Sequence, residues 1–289
     1  MLDKFSIGRL ASLACLLEVS APKPGNVHRG ADFADVTFED FLISAEILGN
    51  TIDQNAEQGI GETILAAVEA TRAVVRTNTN LGMVLLVVPL AKAFDATSSL
   101  NRTHVAEMLE SLDANDAASV YQAINHAKAG GMNEVEEMDL KACPPDDLIA
   151  AMKHAADRDM IARQYANGFR DVFEEVVSML DTACQRHADL RGAIVETHVR
   201  LISRYGDSLI ARKCGVAVSE NARRMASIAV ERLDENKKAE YHAAIADLDF
   251  WMRSDGNRRN PGTTADLIAA GLFVGFVNGI FLPTFSSSE

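Results

Sequence analysis

Residues 81–94 read LGMVLLVVPLAKAF and residues 267–281 read LIAAGLFVGFVNGIF. Both stretches are apolar nearly all the way round a helix, which is typical of helices at the centre of a globular protein. The first stretch is too short to cross a membrane as a helix. The two stretches therefore predict a pair of central helices, around which the rest of the chain packs.

Apolar residues recur at three- and four-residue spacing along most of the chain, and no run of alternating β-branched residues indicates a strand. Two Thr-x-x-acid sequences, TFED (37–40) and TTAD (263–266), predict capping boxes at helix starts. The predicted fold class is all-α, a single multi-helix domain over residues 1–281 with a flexible tail at 282–289. The predicted helical segments are 5–19, 37–56, 61–76, 81–95, 103–111, 116–128, 145–155, 159–185, 190–204, 216–232, 239–253 and 264–280.

The composition excludes several classes of protein. A formal net charge of −13 over 289 residues is unsuited to the phosphate backbone of a nucleic acid, so we expect no nucleic-acid partner. The four cysteines form no CxxC pair, which argues against a structural zinc site and favours a reduced, cytoplasmic protein. We expect neither a signal peptide nor a membrane partner, and a homodimer is left open. The sequence motifs of Rossmann, P-loop, GxSxG and HExxH sites are absent.

Polar residues concentrate where helices are predicted to begin. Each of five segments mixes Asp or Asn with Lys or Arg and leads into an apolar helix, and we expect one polar pocket to collect them. Taken singly, each segment can also be explained by a turn, a helix cap or a surface ion pair. The five segments are 20–41, 76–82, 155–169, 205–215 and 257–273.

The first segment, SAPKPGNVHRGADFADVTFEDF (20–41), carries the densest set of candidate ligands. Two prolines flank Lys23, which with Arg29 would supply positive charge, while Asn26 supplies an amide. Asp32 and Asp35 are candidate metal ligands. Cations beside carboxylates suit a polyphosphate carried with Mg²⁺. A surface turn with local salt bridges is the alternative.

The second segment, RTNTNLG (76–82), places Asn78, Thr79 and Asn80 where a central helix should start. Free N–H groups and the helix dipole make such a position suitable for an anion. Taken alone, a simple helix cap explains these residues better.

The third segment, 155–169, contains Asp159 and Arg163 at the spacing of an ion pair on one helix face, with Asp157 as the expected cap. The fourth, YGDSLIARKCG (205–215), places Asp207, Arg212 and Lys213 between two glycines. An exposed charge cluster would carry no function in either place.

The fifth segment, NRRNPGTTADLIAAGLF (257–273), has Arg258 and Arg259 before a tight turn, then Thr263, Thr264 and Asp266. A phosphate or nucleobase site is one interpretation. A plain helix start explains the threonine and the acid equally well.

Four motifs in order, SAPKPGNVHR, TFEDFLISA, NTNLG and NPGTTADLIAA, resemble the triphosphoribosyl-dephospho-CoA synthase family. The resemblance covers roughly residues 8–275 and implies an all-α fold. It also implies a transferase that takes ATP and 3′-dephospho-CoA, expels adenine and joins the triphosphoribosyl group to a ribose hydroxyl, with Mg²⁺ as the cofactor.

The resemblance also implies roles for individual residues. Asp207 and Asp266 would be the carboxylates for catalysis or metal binding. Lys23, Asn26 and Arg29 would contact phosphate, and Asn78, Thr79 and Asn80 would line the pocket at a helix start. Further candidate substrate-binding residues, from the fourth and fifth segments, are Arg212, Lys213, Thr263 and Thr264.

The sequence departs from the family pattern at three places. Asn80 and Leu81 stand where the family has His-Lys in its Asn-Thr-His-Lys-Gly motif, and His28 stands where it has Asp. These changes leave two alternatives open. One is a paralogue in one-carbon, methanopterin-type cofactor biosynthesis with a different acceptor. The other is a non-catalytic helical nucleotide-binding protein.

Overall fold

The computed structural model describes residues 5–94, 99–127 and 147–281, and in these ranges it is all-α, as the sequence predicts. The expected tail at 282–289 lies outside them. Within them, extended structure is confined to two isolated bridges, His28 with Ala31 and Phe33 with Val36. The helices are α1 (Ile7–Ser20), α2 (Phe38–Gln54), α3 (Ile60–Val74), α4 (Leu81–Lys92), α5 (Arg102–Glu110), α6 (Ala114–Ala127), α7 (Leu148–Ala155), α8 (Met160–Asn167), a π-helix (Val172–Val176), α9 (Val177–Cys184), α10 (Leu190–Tyr205), α11 (Ser208–Cys214), α12 (Val216–Asp234), α13 (Lys238–Arg253) and α14 (Gly262–Val277).

The two apolar stretches form the central helices α4 and α14, which pack against each other. Consecutive side chains of α4, from Val84 to Leu90, are at most 5 % exposed, and α14 is buried from Leu267 to Phe276. Helix α1 packs on both of them, and α3 covers α4. The predicted pair of central helices is therefore confirmed.

A proline inside α4 is accommodated by a neighbouring helix. Pro89 has no N–H, so the carbonyl of Leu85 one turn earlier loses its helical donor. The hydroxyl of buried Tyr165, on α8, donates to that carbonyl at 2.7 Å. A central helix can thus contain proline because the orphaned acceptor is satisfied from outside.

The structure differs from the predicted helices in segment 159–185. Helix α8 ends at Gly168, which has φ of +64° and is followed by Phe169 at +56°. Left-handed backbone cannot continue an α-helix, so the chain restarts as the π-helix and then α9. The short helix α11 was not predicted, and part of the predicted segment 145–155 lies outside the described residues.

Helix caps are partly as predicted. The box at Thr37 and Asp40 is present. The TTAD box is not, because α14 already begins at Gly262 after Pro261 and has no cap from its own side chains. Helix α8 is capped by Asp159 and not by Asp157.

Among the described residues, apolar side chains form two separate packed clusters. The larger contains α4, α14 and most of α1 to α10, and the second is built from α10 to α13 around Ile202, Leu248 and Met252. Among the described residues, no helix is long and apolar enough to cross a membrane. The polar segments lie where the two clusters meet.

Candidate active site at the amino ends of four helices

Helices α4, α8, α11 and α14 begin close together. The Ser208 hydroxyl, at the start of α11, donates to Thr263 Oγ1 on α14 at 3.1 Å and accepts from the Met160 N–H of α8 at 3.3 Å. Gly82 of α4 lies directly against Asp266 of α14. Since the amino end of every helix carries free N–H groups and the positive end of the dipole, this meeting point attracts anions.

Asp207 joins two of these helices. Its Oδ1 caps α11 by accepting from the N–H groups of Leu209 and Ile210, at 2.9 and 3.0 Å. Its Oδ2 accepts from the N–H and the hydroxyl of Thr264, both at 2.8 Å, and so caps α14. The carboxylate is 1 % exposed, and burial raises its pKa in spite of these bonds. Both oxygens are occupied by backbone groups that would otherwise be orphaned.

Asp266 has the opposite surroundings. In the part of the chain that the structure describes, its carboxylate has no hydrogen-bond partner, and it lies against the first turn of α4 at Gly82. Burial raises its pKa well above the ordinary value, and the carboxylates of Glu18, Asp207 and Asp159 raise it further. A half-buried carboxyl with a raised pKa and no structural partner is suited to proton transfer.

Lys23 is fully buried and pairs with Glu18, one of the carboxylates that act on Asp266. Its ammonium donates to the carbonyls of Glu18 and Ala21, at 2.5 and 3.3 Å, and lies 2.8 Å from Glu18 Oε1. Its three donors are therefore used inside the protein, and its contact with a phosphate stays a prediction. Sequence reasoning missed Glu18, although an acid on an otherwise apolar helix was a usable signal.

Buried His198 holds the same loop from α10. Its Nε2 lies 3.1 Å from the carbonyl of Pro24, next to Lys23 in the sequence. Burial, with the Lys23 charge as a second cause, lowers the pKa of His198 to about 3. The ring is therefore neutral and donates this hydrogen bond.

The rest of the first loop turns toward the residues that precede α14. Asn26 Nδ2 donates to Asn260 Oδ1 at 2.5 Å, and Asn257 Nδ2 donates to Asp35 at 3.2 Å. Asp32 is exposed and accepts from the backbone at the start of α2, and Arg29 is exposed. Buried Asn26 keeps one oxygen without a partner among the described residues.

At the start of α4, Asn78 Oδ1 accepts from the Leu81 N–H at 3.1 Å and so supplies a cap. The Thr79 hydroxyl lies 2.5 Å from the Ser44 hydroxyl on α2, and Asn80 Nδ2 lies 3.4 Å from the Ser44 carbonyl. These residues fix where α4 begins, and Ser44 is a second contributor that sequence reasoning missed.

Two cations flank the helix starts. Arg212 pairs with Asp159 at 3.2 Å, so the expected pair of Asp159 with Arg163 does not form; Arg163 donates to Asp171 instead. Lys213 is partly buried, which lowers its pKa, and Asp35 is among the carboxylates close enough to oppose that shift.

All five polar segments are thus linked by contacts around the amino end of α14. Arg29 and Asp32 are exposed on the first loop. In the ranges described, no three His, Cys, Asp or Glu side chains are arranged to hold a metal ion.

The model of the ATP:dephospho-CoA triphosphoribosyl transferase family matches residues 4–282. The chain belongs to this family. It is similar to a crystal structure of a putative triphosphoribosyl-dephospho-CoA synthase from Archaeoglobus fulgidus, with 27 % identity and a TM-score of 0.59. That alignment covers 82 % of this chain and 99 % of the other. In a search of curated proteins, none matches significantly.

Family membership confirms the resemblance and the transferase class. The match extends across the whole meeting point of the helices, from the first loop to α14. It favours the family's own reaction over a one-carbon cofactor paralogue and over a non-catalytic nucleotide-binding protein.

Proposed function

We propose that the meeting point of α4, α8, α11 and α14 is where this chain moves the triphosphoribosyl group of ATP to 3′-dephospho-CoA. The observation that supports this location is the Asp266 carboxyl, which has no partner in the described residues and is surrounded by helix amino ends. Both oxygens of Asp207, the buried carboxylate beside it, are used in helix caps. Of these two carboxylates, Asp266 is the one without a hydrogen-bond partner among the described residues, and so the one available to a substrate.

The reaction exchanges one bond at the anomeric carbon of ATP. The bond from this carbon to adenine breaks, and its electron pair leaves with the base. A bond to a ribose hydroxyl oxygen of dephospho-CoA forms, and the proton lost by that hydroxyl balances the proton gained by adenine. Positive charge develops on the ribosyl ring between the two events, and a carboxylate beside it lowers the barrier.

Asp266 is the residue we assign to this chemistry. As a carboxylate it stabilises the ribosyl cation and accepts the hydroxyl proton; as an acid it can return a proton to adenine. A pKa raised toward the working pH suits both directions of transfer. Asp207 acts through its caps and positions α11 and α14, a narrower role than the catalytic one expected from the sequence.

The triphosphate is assigned to the helix starts and their flanking cations. Thr263 and Thr264 open α14, and Asn78 to Asn80 open α4. Some N–H groups there are already capped, that of Thr264 by Asp207 among them, and those that keep no acceptor within the described residues suit phosphate oxygens. Arg212 and Lys213 supply charge at the rim, and Arg29 is exposed for the same purpose. Lys23 and Asn26 hold the loop that carries Arg29.

Mg²⁺ is proposed as the ion that accompanies the triphosphate. It keeps several waters and needs only one or two carboxylates besides phosphate, so a dedicated cluster is not required. Asp32 and Asp35 fit this demand because both are exposed and each is bonded to a single protein group. The ion would neutralise phosphate charge. A cytoplasmic location and a homodimer stay predictions.

Adenine release tests the assignment. Asp266→Asn keeps the shape but removes the proton acceptor, so we expect adenine formation from Mg-ATP and dephospho-CoA to fall by about 10²- to 10⁴-fold. The same change removes an acid that lies near the carboxylates of Glu18, Asp207 and Asp159. Because less negative charge is then concentrated there, the melting temperature should be unchanged or higher. Chromatography of the nucleotide products and a thermal melt measure both.

Asp207→Asn is the matched control. It weakens two caps, so its main effect should be a lower melting temperature. Undiminished adenine release by Asp266→Asn would refute the role of Asp266. ADP or AMP as the product of the unaltered protein would refute the reaction and indicate a kinase or ligase.

A further inference from the structure

Gly82 occupies a position in α4 where any side chain would collide with Asp266. A Cβ atom built on Gly82 would lie 1.9 Å from Asp266 Oδ2 and 2.4 Å from its Cγ. It would also lie 2.7 Å from Ile161 Cδ1 on α8. The carboxylate therefore rests against the bare backbone of the first turn of α4.

The backbone conformation does not explain a glycine here. Residue 82 is helical, with no positive φ, and glycine is among the least favourable residues for a helix. Its immediate neighbours in α4, Leu81 and Met83, are large and buried. The close approach of Asp266 is the feature that a larger residue could not accommodate.

The contact also places the carboxylate at the first turn of α4, where helix N–H groups lack helical acceptors. Leu81 and Val84 donate their N–H groups to Asn78 and Asn80. Within the described residues, the N–H groups of Gly82 and Met83 have no acceptor. Asp266 thus lies against Gly82, whose N–H is one of two donors without an acceptor at the positive end of α4, where one substrate could contact both a donor and the carboxylate.

We infer that Gly82 is a positioning residue for the transfer reaction, because its missing side chain lets the Asp266 carboxylate sit against the start of α4, within reach of the reacting ribosyl carbon. This inference rests on the proposed function, since it assigns the reaction to Asp266. It goes beyond that function by naming what fixes the carboxylate's place.

Alanine at position 82 should displace the carboxylate. Carbon and oxygen atoms that are not bonded do not approach much closer than about 3 Å, so Asp266 would move by about 1 Å. A misplacement of this size in a reacting group costs about 100-fold in rate. We therefore expect Gly82→Ala to lower kcat for adenine release about 100-fold, with a much smaller change in ATP affinity measured by calorimetry.

A double-mutant cycle tests whether Gly82 acts through Asp266. The variants are Gly82→Ala, Asp266→Ala and the two together, each measured for adenine release and melting temperature. Asp266→Ala vacates the space that the new methyl group needs. The double variant should therefore melt above Gly82→Ala, and its activity should be no lower than that of Asp266→Ala alone.

Gly61→Ala is the control for crowding in general. A Cβ there would lie 2.6 Å from the backbone of Asp116, on the contact between α3 and α6. This variant should lose stability, and adding Asp266→Ala to it should not restore that stability. The comparison separates a specific contact from a general intolerance of alanine.

Each outcome of the cycle either supports or overturns the inference. Full activity in Gly82→Ala would overturn the inference. So would losses of activity and stability in the double variant that equal the sum of the losses in the two single variants. If Gly82→Ala does not fold, a folded double variant supports the contact and an unfolded one refutes it. If Asp266→Ala stays active, the proposed role of Asp266 fails, while the stability cycle still reports on the contact.

Discussion

At the scale of single residues, His198 shows what the interior of this protein demands of an ionisable group. Burial is the main reason why its pKa drops to about 3 from an ordinary value of 6.5, and the nearby Lys23 charge adds to the effect. Between these pH values the unfolded chain binds a proton that the folded chain does not. The free energy of unfolding must therefore fall as the pH drops below 6.5 and be fully restored above it.

We expect this group to cost about 2 kcal/mol of stability between pH 7.5 and pH 5. His198→Gln retains a donor for the Pro24 carbonyl but cannot take up a proton. The free energy of unfolding is measured by urea titration at both pH values. From pH 7.5 to pH 5 it should fall by about 2 kcal/mol less in His198→Gln than in the unaltered chain. His154→Gln, at an exposed position, is the control. Equal losses in His198→Gln and the unaltered chain would contradict the prediction.

The residues of the site were predictable only in part. Glycines, prolines and charged residues in the sequence marked the right segments, those that contain Lys23, Asn26 and Asp207. Their partners could not be read from the sequence, because Thr264 lies far along the chain from Asp207 and Asn260 far from Asn26. In the sequence, a carboxylate that caps two helices cannot be distinguished from one without a partner, because the two differ only in their tertiary contacts.

At the scale of helices, the hydroxyl of Tyr165 and the proline in α4 form a compensating pair. The Leu85 carbonyl is buried, and without the hydroxyl it would have no donor. Tyr165→Phe should therefore lower the free energy of unfolding by about 1–3 kcal/mol. A urea titration measures the loss.

Pro89→Ala provides the control, since alanine restores the helical N–H to the Leu85 carbonyl. In a chain that carries Pro89→Ala, we expect Tyr165→Phe to cost clearly less. An equal cost in both backgrounds would mean that the hydroxyl contributes in some other way than by satisfying this carbonyl.

The helices themselves were largely predictable because their apolar periodicity is strong. The break after α8 was not, since Gly168 sits within an uninterrupted periodic pattern, and the following Phe169 adopts a left-handed conformation that is unusual for an aromatic residue. The short α11 was missed because a helix of seven residues, about two turns, between two glycines shows too little periodicity to be recognised.

At the scale of the whole molecule, the site lies on the seam between the two packed clusters. The larger cluster supplies α4, α8 and α14, the helix that carries Asp266, while the second supplies α11. Polar contacts bridge the seam, among them the Gly25 N–H to Asp249 at 2.8 Å. The sequence indicated that polar segments converge, but a seam depends on which helices pack together, and that is a property of the fold.

A ligand that binds across such a seam should tie the two clusters together. The smaller cluster of α10 to α13 buries fewer residues than the larger one, so its opening should require less free energy. Hydrogen exchange on Asp266→Asn, used so that nucleotide is not consumed, should show faster exchange in α12 and α13 than in α4. Mg-ATP should then slow exchange at the starts of α4, α11 and α14, and in α12 and α13, because opening the second cluster would now also release the nucleotide. Helices α5 and α6, which pack on helices of the larger cluster, serve as the internal control. Protection confined to them, or none at the helix starts, would show that the nucleotide does not bind where the four helices begin.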